Sequence, residues 1–226
     1  MINRYMKNVL VFIVISIFLI KKCLSNDTHT NLISLLEMNY PLEFTFEQKY
    51  NNDKTNGWMV IAGNGMARTE FAPPNNNLIV ADGKWIMFYD PEIDRTTYIP
   101  LDKGIFKAFL KPTALTEDKI FQIKETKDNT KIIFTLDFNM NNADQKIKLY
   151  FDKTAKNLLG WQLHESPNDF IEVKIINHKK FTIDNKKLLN EIFKLTESKS
   201  NTSIKYYGPY NSRKVKKLLR GGKLNQ

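Results

Sequence analysis

Few residues in this chain could do covalent chemistry. The three histidines, His29, His164 and His178, stand far apart, and no His-x-x-x-His or Glu-x-x-His pairing gives zinc-type ligation a local motif. No Gly-x-Ser-x-Gly elbow presents a serine nucleophile. Gly63-Asn64-Gly65 has the opening of a dinucleotide-binding loop, but Arg68 stands where the third glycine belongs and a strand follows. Asp90 and Glu92, beside Asp94 and Arg95, could pose as an acid pair for glycoside hydrolysis. A hairpin turn uses the same residue types to satisfy its backbone, and that is the simpler account. The residues therefore point away from an enzyme and from any metal or cofactor.

The ends explain much of the composition. Arg4 and Lys7 precede an apolar run, Val9–Ile20, of about twelve residues, the length of a signal-peptide core; a membrane-spanning helix needs about 20. Cys23 and Ser25 suit cleavage before Asn26, so residues 1–25 are expected to be a signal peptide and the mature chain to hold no cysteine. A lipid-modified Cys23 is excluded, because Lys21 and Lys22 occupy positions where small residues are needed. Without disulfides or thiolate ligands, stability must come from a core, for which residues 26–199 suffice as one domain. The formal charge of +10 is uneven. Residues 1–25 carry four bases and 200–226 carry seven, neither with any acid, so the body is near −1.

The elements follow from periodicity. Thr30 is placed to cap a short helix over Asn31–Met38, which Pro41 ends. Leu42–Tyr50 alternates, Asn51–Asn56 reads as a turn, and Gly57–Ala62 and Ala67–Ala72 read as strands. Asp82-Gly83 predicts a type I′ hairpin between Leu78–Ala81 and Lys84–Tyr89, and Asp90-Pro91 turns the chain into Thr96–Ile99. Ile105, Phe106, Phe109 and Leu110 recur at helical spacing before Pro112. Strands then resume at Ile120–Lys124, Lys131–Phe138, Gln145–Phe151, Leu158–His164 and Phe170–Ile176, and Asn185–Phe193 closes the body as a helix turn or a last strand. The pattern predicts a mainly β fold with a few helices: one curved antiparallel sheet, open or nearly closed, with helices over its concave face.

The order of features across Gly57–Asp102 resembles the periplasmic lipoprotein carrier family, LolA. Phe46-Glu47-Gln48 is similar to the Phe-x-Gln that ends the family's first strand, and Gly57 to the glycine opening the next. Arg68-Thr69-Glu70-Phe71 with Pro74 resembles its arginine–aromatic–proline segment, Ala81-Asp82-Gly83-Lys84 and Phe88-Tyr89-Asp90-Pro91 its central hairpin, and Phe109-Leu110 the end of its lid region. The resemblance spans roughly Leu32–Leu195. It implies an incomplete antiparallel β-barrel under an α-helical lid, which holds the acyl chains of lipoproteins and carries them from the inner to the outer membrane. It also implies acylated lipoproteins, an inner-membrane exporter complex and an outer-membrane receptor as partners, and a periplasmic monomer. Where family members commonly carry Arg-Pro, thought to help hold the lid closed, this chain has Gly63-Asn64. Either Arg68 takes over lid control or packing alone governs the lid.

On this reading the cavity wall is expected to comprise Phe44, Phe46, Trp58, Val60, Met66, Phe71, Trp85, Met87 and Tyr89. The lid would supply Ile105, Phe106, Phe109 and Leu110. Ordinary core packing is the competing account of each residue singly. The tail, Lys205–Lys223, mixes bases with Tyr206, Tyr207 and Tyr210, and is expected to be flexible and to touch anionic membranes transiently. Aromatics among bases also suit single-stranded nucleic acid, which an exported protein does not meet. Two further classes compete with the carrier: an envelope lipid-binding or stress-sensing module of the same fold, and a secreted enzyme. The Asn201-Thr202-Ser203 sequon matters only in a host that glycosylates exported proteins.

Overall fold

The computed structural model describes residues 28–102, 105–117, 121–140, 143–166, 169–181, 190–195 and 206–210. The expected signal peptide, the sequon and most of the basic tail lie outside them. Helix α1 covers residues 28–39. Six strands follow: β1 (Leu42–Tyr50), β2 (Asp53–Gly63), β3 (Met66–Phe71), β4 (Leu78–Asp82), β5 (Trp85–Asp90) and β6 (Arg95–Pro100). Two short helices, α2 (Ile105–Leu110) and α3 (Ala114–Glu117), separate them from β7 (Phe121–Lys127), β8 (Lys131–Met140), β9 (Ala143–Asp152), β10 (Leu158–Ser166) and β11 (Asp169–Lys180). Residues 190–192 are helical.

All eleven strands form one antiparallel sheet in the order β6-β5-β4-β3-β2-β1-β11-β10-β9-β8-β7. It is two meanders joined where β1 pairs with β11, from Leu42↔Lys180 to Tyr50↔Ile171. Register shifts at Thr45/Phe46, Ile61/Gly63, Leu158/Gly160 and His164/Ser166 bend the strands. The sheet curls into an open half-barrel, as the alternation predicts, with α1 and α2 over its concave side. The main core lies between them: Leu32 and Leu36 of α1, Phe109 of α2, and Phe44, Phe134 and Phe151 of the sheet.

Three local expectations change. Thr30 lies inside α1, where its carbonyl accepts the Ser34 hydroxyl, so it is not the cap. Strand β2 begins at Asp53, directly opposite Tyr50, so the β1–β2 turn is only Asn51-Asn52. Its polar start is an exposed ladder extension, with Lys54 paired to Glu47 at 3.3 Å. At the β4–β5 connection only Gly83 has positive φ (+96°), so no type I′ turn forms. Instead the Asp82 carboxylate accepts the backbone N–H groups of Lys84 and Trp85, each at 2.8 Å.

Candidate functional site

Strand parity sorts the side chains. On β1, β2 and β3, the residues Phe44, Phe46, Met59, Ile61, Ala67, Thr69 and Phe71 point to the concave side, as the registers Phe44↔Met59, Phe46↔Gly57 and Gly57↔Phe71 require. Ile79, Ala81, Ile86 and Phe88 continue that face across β4 and β5. From the other half come Ile147, Trp161, Leu163, Ile171 and Val173. Together with α2 they enclose a cavity of about 720 Å³, apolar within and edged by Gln48, Asn77, Asp90 and Arg95.

Aromatic rings shape its floor. Phe46 packs edge-on against Phe71 at 5.7 Å, and Trp161 meets Phe109 at 5.2 Å. Gly57 makes the floor possible, because a Cβ there would strike the tip of the Phe46 ring. The glycine that opens this strand is thus a space for an aromatic ring.

The lid helix α2 is fixed at its C-terminal end. The Tyr40 hydroxyl donates to the Phe109 carbonyl at 2.8 Å, and the Gly65 N–H donates to the Leu110 carbonyl at 2.9 Å. These carbonyls have no partner within so short a helix. Burial raises the Tyr40 hydroxyl pKa well above its ordinary value, so it stays a donor. Gly65 has φ +84°, and a Cβ there would lie 2.9 Å from the Gly83 backbone. The Gly63-Asn64-Gly65 turn therefore holds the lid through its backbone.

Of the expected wall, Phe46, Phe71 and Tyr89 border the cavity, and Phe44 lies in the adjoining core against Trp161. All four expected lid residues, Ile105, Phe106, Phe109 and Leu110, face it. Trp58, Val60 and Met66 do not: they lie on the outer side of the sheet with Phe181, Ile192, Phe193 and Tyr207. Met87 packs there with Leu78 and Val80, and Trp85 is exposed. The reason is that the sheet is covered on both sides, so β2 reads Trp58-Met59-Val60-Ile61 without polar alternation and parity cannot be assigned from it. Sequence reasoning missed Met59 of β2 and Ile86 and Phe88 of β5, the other parity of those strands, and Ile79 of β4.

Arg68 is the clearest correction to the expected site. It is buried on the outer side, away from the lid, with its Nε 2.6 Å from the Glu70 carboxylate and Nη1 donating to the Ile192 carbonyl at 3.0 Å. Its guanidinium also lies over the Tyr207 ring at 4.8 Å. Glu70 in turn accepts the backbone N–H groups of Tyr207 (2.7 Å) and Gly208 (2.6 Å). Residues 206–208, within the expected flexible tail, are thus docked on the sheet. Tyr206 adds a hydrogen bond from its hydroxyl to the Asn76 carbonyl at 2.6 Å. The spacing Arg68-x-Glu70, same-face neighbours on a strand, was the one available signal.

Among the described residues no group of three or more His, Cys, Asp or Glu could hold a metal ion, and no helix is long and apolar enough to cross a membrane. An open antiparallel half-barrel with a lidded apolar cavity defines a class of proteins built to enclose an apolar ligand. The profile of the family described as "Outer membrane lipoprotein carrier protein LolA" matches residues 40–196, and the chain belongs to that family. The outer-membrane lipoprotein carrier protein of Legionella pneumophila (strain Paris) is 25% identical over 179 residues, 77% of this chain and 85% of its own. The protein of that name from Nitrosomonas europaea is 30% identical over 106 residues, 45% and 52% of the two chains. Among solved structures, a LolA superfamily protein from Nitrosomonas europaea aligns with TM-score 0.42 and 8% identity, over 74% of this chain and 98% of its own. MucB aligns with TM-score 0.45 and 12% identity, over 73% and 62%.

Proposed function

We propose that the protein is a periplasmic chaperone that holds acyl chains of lipoproteins in this cavity and carries them from the inner to the outer membrane. The observation that carries the reading is the cavity itself, apolar and lidded. On the same reading, an inner-membrane exporter loads the protein and an outer-membrane receptor unloads it. A chain of about sixteen carbons loses roughly 12 kcal/mol on leaving an apolar environment, at ~0.8 kcal/mol per CH₂. A carrier must offset most of that and still release the chain. Lid residues that must give way to a cargo with two or three chains reduce the net gain on binding, and Phe106 and Phe109 are placed to be displaced by those chains.

The test is native mass spectrometry of the protein purified from its own envelope, beside Phe106→Glu. Phe106 lines the cavity yet is 46% exposed, so the carboxylate can reach water and the fold is retained. The expected outcome is co-purified acylated lipoprotein on the wild type and at least a tenfold loss on the variant. Free phospholipid alone would shift the reading to a lipid-binding module, and equal loading of both proteins would remove α2 from the site.

A further inference from the structure

We infer that one end of the cavity carries a subsite for the amide head of an N-acylated peptide, formed by Asn77, Asp90 and Arg95. It rests on the carrier reading for the acyl chain alone. The ladder registers sort the inward side chains of β2 to β6 into three rungs. The first, Ile61, Ala67, Ala81, Ile86 and Ile99, is wholly apolar. It lies toward the Gly65 turn that ties down the end of α2. The second, Met59, Thr69, Ile79, Phe88 and Thr97, brings in two hydroxyls. The third runs from Gly57 and Phe71 to Asn77, Asp90 and Arg95. Gly57↔Phe71 and Asp90↔Arg95 are ladder partners, and the Phe71 N–H donates to the Asn77 carbonyl at 2.9 Å. The β4–β5 register, whose last pair is Leu78↔Tyr89, brings Asp90 beside Asn77. Asn77, Asp90 and Arg95 all line the cavity, which thus grades from apolar to charged along the strands.

The chemistry of that third rung selects the head. Neighbouring strands stand about 4.8 Å apart, so three side chains on adjacent strands can engage one small group. Arginine only donates hydrogen bonds, a carboxylate only accepts them, and a carboxamide does both. Asp90 gives Oδ1 to the Glu92 N–H at 2.9 Å. Among the described residues, Arg95 and the Asn77 carboxamide have no side-chain partner, and Asp90 and Arg95 form no ion pair with each other. A head that satisfies all three must offer both N–H donors and oxygen acceptors. A carboxylate, an ester or an amine-free phosphodiester accepts only, and sets one acceptor against another at Asp90. The head of an acylated peptide offers both, a carbonyl to Arg95 and N–H groups to Asp90, with Asn77 able to bond either. Arg95 is exposed, so a peptide held there continues into solvent while its acyl chain lies along the apolar rungs.

The test uses the exported chain, 26–226, and displacement of a fluorescent fatty acid by single-chain ligands. These are N-palmitoyl-glycylglycine amide, methyl palmitate and palmitoyl lysophosphatidylethanolamine. Asp90→Asn keeps an acceptor oxygen for Glu92, and Arg95→Gln alters an exposed side chain, so both variants retain the fold. The palmitoyl peptide is expected to bind about tenfold more tightly than the ester. Asp90→Asn should lower its affinity about tenfold and leave the ester unchanged, because only an N–H can use that carboxylate. Arg95→Gln should weaken both, since both present a carbonyl. Equal affinity for peptide and ester, or a preference that survives Asp90→Asn, would overturn the subsite while fatty-acid binding keeps the carrier reading standing. Lysophosphatidylethanolamine that competes as well as the peptide would also overturn it, and would give the rung to a zwitterionic phospholipid head. A fatty acid that fails to bind at all would remove the cavity, and both readings with it.

Discussion

A buried carboxylate that accepts two backbone N–H groups and an arginine is an anchor whose removal leaves charge without compensation. Glu70 and Arg68 are both buried, and between them they hold residues 192, 207 and 208 against the sheet. Arg68→Leu strands the Glu70 carboxylate, and Glu70→Leu strands the guanidinium together with two amide donors. Each is expected to cost about 3–5 kcal/mol in urea denaturation. The double variant should cost much less than the two singles added, because it buries no unpaired charge. Binding of a fluorescent fatty acid by the folded fraction of Arg68→Leu should stay as in the wild type. Unchanged stability with altered ligand binding would return Arg68 to the lid.

At the scale of elements, the lid depends on two hydrogen bonds to its last carbonyls, one from the Tyr40 side chain and one from the Gly65 backbone. Tyr40→Phe leaves the buried Phe109 carbonyl unsatisfied and is expected to cost about 1–3 kcal/mol at neutral pH. The sign with pH follows from burial, which raises the folded-state pKa of Tyr40 above its unfolded value near 10. Its contribution is complete below that value and is lost as pH rises through and beyond it, so the difference between wild type and variant should shrink above about pH 10. A difference that stays constant there would mean Tyr40 does not titrate with unfolding. The same elements show how far sequence carries. The helix of Ile105–Leu110 and the hairpin strands are legible because turn residues separate them and the period changes from two to about 3.6. The inner face of β2 is not, because the C-terminal segment covers the outer side and makes both parities apolar. Arg68 misled for the same reason: a lone base on a strand reads as a surface or rim group until residues more than a hundred positions later are seen to cover it.

Across the whole molecule, the two meanders meet only through β1 and β11 within the sheet, yet the cavity takes its wall from both and its cover from the segment between them. Capacity follows from that enclosure. A volume of 720 Å³ holds about two dozen groups of methylene size, taking each as ~30 Å³, the share of a water molecule. One chain of about sixteen carbons fits under the closed lid and a second does not. A single-chain fatty acid should therefore bind one to one without moving α2. It should raise the unfolding midpoint with concentration, by about 2.7 kcal/mol of stability at a hundredfold excess over its Kd. A ligand with two or three chains must displace Phe106 and Phe109, break the Tyr40 and Gly65 hydrogen bonds, and expose the α2 amides to exchange. Hydrogen exchange over residues 105–110 distinguishes the two cases. Protection that is equal with one-chain and three-chain ligands would mean that the cavity grows by opening the β1–β11 seam or the β6 edge rather than by lifting the lid.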